Sequence, residues 1–367
     1  MIGRTMLLSI KTKLKLSKAQ ETIMSKHAGI ARFTYNWGLA TWNNLYKDGL
    51  KPNKYILKKF FNNHVKPEFE WIKEKGICQK ITQYAFDNLG SAFDRFFKGL
   101  GKYPNFKKKG HHDSFTIDAS GKPIPVGGKS IKLPTIGWVK TYEGFPHTTC
   151  KSITISRTAN SWFIAFASEQ EHEPTVKQHD VVGVDLGVKE LATLSTGVVF
   201  PNPKHYKSNL EKLRRLSRKF ARKVNGSQNK YKAKIQLAKH HANVANLRKD
   251  TVHKITTYLC KNHAIIVIED LAVANMVRNH KLAQVIADCG FGEFRRQLEY
   301  KAKKFGCKIV IVDRFYPSSK TCSNCGHIQD MPLKERTYNC GNCSHTIDRD
   351  LNAAINLSRL ATPVKAY

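Results

Sequence analysis

Asp180-Val181-Val182-Gly183-Val184-Asp185-Leu186-Gly187 reads as an apolar strand carrying one carboxylate, Asp185, inside its run. Leu191 to Leu194 and Val198 to Phe200 follow and flank the turn Ser195-Thr196-Gly197, which predicts a three-strand meander. A carboxylate on a buried strand is costly unless it binds a metal or is otherwise compensated. The pattern recurs at His263-Ala264-Ile265-Ile266-Val267-Ile268-Glu269-Asp270-Leu271, a second apolar strand that ends in acid. Asp350 then stands one step before a helix expected over Leu351 to Leu360. Taken singly, such a carboxylate is more often a helix or turn cap than a ligand. Three of them, ordered strand, strand, helix, point to one shared site. Clusters of Asp and Glu suit hard cations such as Mg²⁺, and many nucleases hold two ions about 4 Å apart in this way.

Before that last helix stands Cys322-Ser323-Asn324-Cys325, then fourteen residues, then Cys340-Gly341-Asn342-Cys343. Each CxxC turn brings two sulfurs to one side of a knuckle, so four thiolates at this spacing can close a tetrahedral shell on Zn²⁺. The paired spacing, with Gly326 and Gly341 beside the pairs, favours a metal over free or disulfide-linked cysteines. The other five cysteines, Cys78, Cys150, Cys260, Cys289 and Cys307, are scattered and suit reduced core thiols in a cytosol.

The 367 residues include 62 Lys+Arg against 28 Asp+Glu, a formal charge of +34. Such an excess repels itself unless a polyanion neutralises it, which points to nucleic acid. The charge is spread along the chain and not gathered into one amphipathic helix, which argues against a membrane surface. The apolar run Met6-Leu7-Leu8-Ser9-Ile10 is too short for a signal peptide, and nowhere do eighteen apolar residues run together. The expected location is the cytoplasm of a prokaryote, in association with the nucleoid. At this length two or three domains are expected.

Thr5 to Leu16 alternates like a strand and meets Ser17-Lys18-Ala19-Gln20, a capping box that predicts a helix from Lys18 to Tyr46. A second helix is expected over Cys78 to Gly99, where Ile81, Tyr84, Ala85, Leu89, Ala92, Phe93 and Phe96 recur at helical spacing. From Tyr103 to Ser168 the texture turns to Gly, Pro and short β-rich runs: Ser114 to Asp118, Ser130 to Leu133, Lys151 to Ser156 and Ser161 to Ala167. These predict a small antiparallel barrel with the helical block inserted after its first strand. Glu169 to His179, polar and containing Pro174, reads as a linker.

Lys204 to Lys254 reads as a helical hairpin broken at Asn225-Gly226-Ser227. Lys212, Arg214, Arg215, Arg218, Lys219, Arg222 and Lys223 crowd its first arm, with only Glu211 and Asp250 opposing. Against so basic a background this favours phosphate contact over a merely solvated face. Basic and aromatic residues also interleave among Tyr35, Trp37, Trp42, Tyr46, Lys54, Tyr55, Lys58 and Lys59, although the helical spacing of Phe33 and Trp37 favours a core role for those two.

Several further stretches carry a family resemblance: Ala31-Arg32-Phe33-Thr34-Tyr35-Asn36-Trp37, Tyr103-Pro104-Asn105-Phe106-Lys107-Lys108-Lys109, Tyr316-Pro317-Ser318-Ser319-Lys320-Thr321-Cys322 and Asp348-Arg349-Asp350-Leu351-Asn352-Ala353-Ala354. With Gly183 to Gly187 and Ile268 to Leu271, the chain resembles the TnpB family of RNA-guided nucleases of insertion sequences, relatives of type V CRISPR effectors. The resemblance spans essentially the whole chain. It implies an α+β multidomain architecture: a wedge-type β-barrel (1–16 and 103–178), an inserted helical recognition lobe (17–102), and a RuvC-like RNase H fold (179–316 and 348–367). The last would carry a basic helical insertion (204–254) and a zinc-binding, zinc-ribbon-type insertion (317–347). It implies an acidic triad of Asp185, Glu269 and Asp350 holding Mg²⁺, two ions by expectation, and Zn²⁺ on Cys322, Cys325, Cys340 and Cys343. Asp270 and Asp348 stay as alternatives; the family motif favours Asp350 because its carboxylate stands directly before the x-Asn-Ala-Ala start. Lys107, Lys108 and Lys109 join the basic hairpin as nucleic-acid candidates. The implied activity is Mg²⁺-dependent cleavage of double-stranded DNA beside a short motif read by the protein, directed by a structured transposon-derived guide RNA, with a monomer expected. A strand-transfer transposase and a non-catalytic guide-dependent repressor are the rivals, and the intact acids weigh against the repressor.

Overall fold

The computed structural model describes residues 4–119, 121–172, 175–332 and 334–361. They fall into two compact units: residues 7–170 form the earlier one, and the residues from 171 onward, together with 4–6, form the later one.

In the earlier unit, strand β1 (Arg4–Lys15) leads to the capping box: the Gln20 amide donates to Ser17 Oγ at 3.2 Å, and the Ser17 amide donates to Gln20 Oε1 at 3.0 Å. That closes the first turn of α1 (Lys18–Lys47). Then come α2 (Lys54–Phe60), α3 (Glu70–Lys73) and α4 (Lys80–Phe97), the last burying Ile81, Ala85, Phe86, Leu89 and Phe93. Gly38 lets α1 and α4 close up, since a Cβ there would lie 2.9 Å from a Leu89 methyl and 3.0 Å from the Phe86 ring. Trp42 stacks on Phe93 with ring centroids 4.0 Å apart. Each buried aromatic of this kind contributes about 2–3 kcal/mol of apolar transfer. Phe33 and Trp37 are partly buried against the same core, as their spacing predicts.

Strands β2 (Ser114–Asp118), β3 (Ile124–Leu133), β4 (Gly137–Cys150), β5 (Ser152–Thr158) and β6 (Ser161–His172) join β1 in one six-stranded sheet, ordered β2-β5-β6-β1-β4-β3. β1 is interior to the sheet although four helices separate it in sequence from the other strands. The structure lengthens β3 and adds β4, a strand absent from the sequence reading. Gly144 and Pro146 mask it in composition, while its pairing with β3 absorbs register shifts at Val126/Gly128 and Gly128/Ser130. The expected linker Glu169 to His179 contains the division between the units but is shorter than expected: β6 runs on to His172, and the next strand already begins at His179. Backbone pairing makes a strand of polar residues there, and Pro174 lies outside the described residues.

The later unit opens with the predicted meander: β7 (His179–Asp185), β8 (Glu190–Leu194) and β9 (Val199–Pro201), antiparallel in turn. A short α5 (His205–Ser208), α6 (Leu210–Ala221) and the 35-residue α7 (Gln228–Asn262) follow. Next are β10 (His263–Glu269), α8 (Val273–Met276), α9 (Ala283–Cys289), α10 (Phe291–Phe305) and β11 (Lys308–Val312). The hairpin β12 (Thr337–Asn339) and β13 (Thr346–Asp348) precedes α11 (Arg349–Ser358).

The sheet order is β11-β10-β7-β8-β9, with β10 parallel to both β7 and β11. Its centre is covered on both faces, which explains the unbroken apolar runs. One face packs Val182, Val184, Ile266 and Ile268 with Leu259 of α7 and Phe294 and Leu298 of α10. The other packs Val267 and Val312 with Leu357 of α11.

Candidate active site and metal centre

Parallel pairing decides where the acids meet. Ile268 of β10 lies beside Val184 of β7, so the next residues along, Glu269 and Asp185, emerge from the same end of neighbouring strands. α11 crosses β7 closely enough that a Cβ on Gly183 would lie 1.9 Å from the Ala354 carbonyl oxygen. That approach brings Asp350, in the first turn of α11, to the same place. Burial pushes the Asp185 carboxyl up to about 7, and the nearby charges of Asp350 and Glu269 push the same way. Asp350 is also raised, first by burial and then by Asp348. The sequence expectation that Asp350 precedes its helix is corrected: α11 begins at Arg349, because Asp348 is the cap.

The competing acids are otherwise engaged. Asp348 accepts from the Asp350 and Leu351 amides at 2.9 and 3.0 Å, the work of an N-cap. Asp270 is paired with Arg314 and, at 2.6 Å, with Arg295, and these hydrogen bonds hold its carboxyl below the usual range. Glu269 accepts from Ser318 Oγ. Burial, and after it the charges of Asp350 and Glu269, raise the proton affinity of Asp185, and a carboxylate so placed fits a hard divalent cation, which relieves both penalties.

The four cysteine sulfurs lie within 4.8 Å of one another. Cys322 and Cys343 Sγ are 3.7 Å apart, and Cys325 and Cys340 Sγ are 3.6 Å apart. A tetrahedron with Zn–S bonds of about 2.3 Å sets its sulfurs about 3.8 Å apart, so the cage fits. The Asn324 amide donates to Cys322 Sγ at 3.4 Å, a contact suited to thiolate charge.

Lys212, Arg214, Arg215, Arg218 and Lys219 on α6, with Arg222 and Lys223 just beyond it, are all exposed, and only Leu213 of that helix is buried. In the earlier unit Lys108 and Lys109 are exposed, whereas Lys107 lies over the Tyr35 ring at 4.1 Å and burial lowers its ammonium. Sequence reasoning missed Arg336, whose Nη1 stands 3.9 Å from Asp350 Oδ1, and the buried Asn352 and Asn356 of α11. The signal for the asparagines was present as two poor helix formers one turn apart in an apolar helix.

A relative from Escherichia coli K12, named "Putative RNA-guided DNA endonuclease InsQ", is 34% identical over 376 residues, covering 95% of this chain and 91% of its own. The chain belongs to the TnpB family. The family profile described as "Probable transposase" matches residues 164–280, and one described as "Cas12f1-like, TNB domain" matches 291–357. A third, described as a helix-turn-helix domain, matches 6–51, where this TnpB-family chain instead has the strand β1 and the single helix α1. A Streptomyces pristinaespiralis relative named "Putative RNA-guided DNA endonuclease" is 33% identical, covering 92% of this chain and 85% of its own. Among solved structures, a Cas12f1–sgRNA–target DNA complex contains a chain that is alike in fold, with a TM-score of 0.60 at 13% identity over 96% of this chain and 99% of that one. Among the described residues no helix is long and apolar enough to cross a membrane.

Proposed function

We propose that the chain is an RNA-guided endonuclease that cuts double-stranded DNA at Asp185, Glu269 and Asp350, directed by a bound guide RNA. The carrying observation is the convergence of three carboxylates from β7, β10 and α11, where burial first and then the charges of Asp350 and Glu269 push Asp185 up to about 7. The strand order with β10 and β11 parallel to β7 supports a RuvC-like RNase H assignment for 179–316 and 348–367, with 317–347 as a zinc-binding insertion. The sheet and helices of the earlier unit take the roles of wedge domain and recognition lobe. Asp185, Glu269 and Asp350 would hold magnesium, two ions by expectation, which would supply charge to activate the attacking water and to stabilise the leaving 3′ oxygen.

The protein's part is positional. Asp185 and Glu269 hold their oxygens at the ends of a rigid sheet, and Asp350 adds a third donor from the helix packed on it. Arg336, half-exposed beside Asp350, offers its guanidinium toward the same place. The exposed face of α6 neutralises the phosphates of a guide–target heteroduplex, whose sequence is read by base pairing. The four cysteines bind Zn²⁺ and brace the segment leading into Asp350. A monomer in the bacterial cytoplasm satisfies this arrangement.

The description of residues 164–280 as a transposase favours a second reading, strand transfer by the same acids. Incubating guide-loaded protein with a matched duplex and Mg²⁺ decides between the two: free ends support the endonuclease, and joined ends support strand transfer.

A further inference from the structure

Ser318 stands at the junction of the two candidate metal sites. Its hydroxyl donates to Glu269 Oε1, and the residue is only 5% exposed. Its carbonyl accepts from Asn356 Nδ2 at 2.8 Å. The same Asn356 Nδ2 reaches the Thr321 carbonyl at 2.7 Å, and Asn352 Nδ2 reaches it also at 2.7 Å. Asn352 Oδ1 in turn accepts from the Ser323 amide at 2.8 Å. Cys322 is therefore clamped between two residues that both bind α11, two and six positions along from Asp350. The turn itself is closed by the Lys320 and Thr321 amides, each donating to the Pro317 carbonyl at 3.0 Å.

We propose that Ser318 is a positioning residue for Glu269, and that the turn Pro317 to Thr321 couples this carboxylate to the four-cysteine site through Asn352 and Asn356. The inference rests on the reading of Glu269 as a cation-holding carboxylate. A glutamate at the end of a strand has three rotatable torsions, and a buried hydroxyl donor selects among them. Second partners of this kind typically change metal affinity 10- to 100-fold. Asparagine is a poor choice inside a helix, so two that are fully buried on one face of α11 are explained by the carbonyls they hold. Because Cys322 belongs to the same clamp, loss of its metal loosens the turn and with it Ser318.

Mn²⁺ binding followed by electron paramagnetic resonance tests this without reference to cleavage. The full chain, stripped of nucleic acid in high salt and with zinc retained, is titrated with Mn²⁺, and Asp185→Asn provides the background. Ser318→Ala should weaken the Asp185-dependent binding about tenfold with little change in melting temperature. Ser318→Thr, which keeps the hydroxyl, should bind as wild type does, and its isostere Ser318→Val should bind as Ser318→Ala does. Cys340→Ser should weaken binding in the wild-type background and add nothing in the Ser318→Ala background. Unchanged binding in Ser318→Ala, or equal losses in the Thr and Val variants, would overturn the positioning role. Additive effects of Cys340→Ser and Ser318→Ala would overturn the coupling. Wild-type binding no stronger than that of Asp185→Asn would instead remove the carboxylate site on which the inference rests.

Discussion

The four cysteines and the three carboxylates are both candidate ligand sets, but they are assembled in opposite ways. The cysteines come from one stretch, 322–343, whose two knuckles already hold their sulfurs at tetrahedral spacing. The carboxylates are spread from 185 to 350 and meet only because β7 and β10 run parallel and α11 packs on Gly183. Local turns therefore build the first site, while the tertiary fold builds the second. The cysteine cage is close to its bound geometry as it stands. The acidic site is electrostatically unfavourable until a cation or a proton enters it, as the raised Asp185 shows.

The largest effect expected from this contrast is on chemistry. Asp185→Ala or Asp350→Ala should lower guide-directed DNA cleavage by at least about 10³-fold while leaving RNA and target binding nearly unchanged, because these groups act on the transition state. Gel-shift and cleavage assays on the same preparations check both halves. Cleavage near the wild-type rate in either variant would remove the assignment.

The second effect concerns the preassembled site. Cys325→Ser or Cys340→Ser should each lose about one zinc per chain by elemental analysis, with cleavage reduced but measurable as the segment before Asp350 loosens. A wild-type chain purified without chelator and free of zinc would show that the preformed geometry holds no metal.

The third effect is on stability. The folded Asp185 pKa, about 7, lies above the ordinary 3.8, so the native state keeps a proton that the unfolded chain gives up. The corresponding stability is present in full below about pH 4, is lost as pH rises toward 7, and stays lost above it. In magnesium-free buffer Asp185→Asn should therefore melt several degrees above wild type at pH 8, with a much smaller difference at pH 5. Adding Mg²⁺ should raise the wild-type melting temperature and leave that of the variant nearly unchanged. Equal melting temperatures at pH 8 would mean that Asp185 is not raised by burial and its acidic neighbours in the folded chain.

The smallest effect is on the basic arm. Each of Arg215→Ala and Arg218→Ala should weaken nucleic-acid binding only a few-fold, uniformly across sequences, and shallow the salt dependence by about one charge. A sequence-dependent loss would give α6 a reading role in place of a neutralising one.

The same contrast explains what was legible in the sequence. CxxC spacing specifies a knuckle locally, so Cys322 to Cys343 could be read without a fold. The capping box at Ser17 and Gln20 and the meander after Asp185 were likewise local, and both stand as expected. Choosing Glu269 over Asp270 and Asp350 over Asp348 needed either the family motif or the structure, since only tertiary contacts show Asp270 held by Arg295 and Arg314 and Asp348 spent on a helix cap. The roles of Ser318, although it stands in the quoted stretch Tyr316 to Cys322, and of Arg336 were invisible because their partners lie on β10 and α11. β4 was missed because Gly144 and Pro146 interrupt a pattern that its pairing with β3 tolerates.

Exchanging the guide tests the central claim most directly. Protein purified without nuclease should carry a discrete RNA species, and removing that RNA should abolish site-specific cleavage of double-stranded DNA. Re-adding a guide of new sequence should then move the cut to the matching site beside the same short motif. Cleavage of the original site at an unchanged rate by RNA-free protein would contradict the account, because sequence reading would then reside in the protein itself.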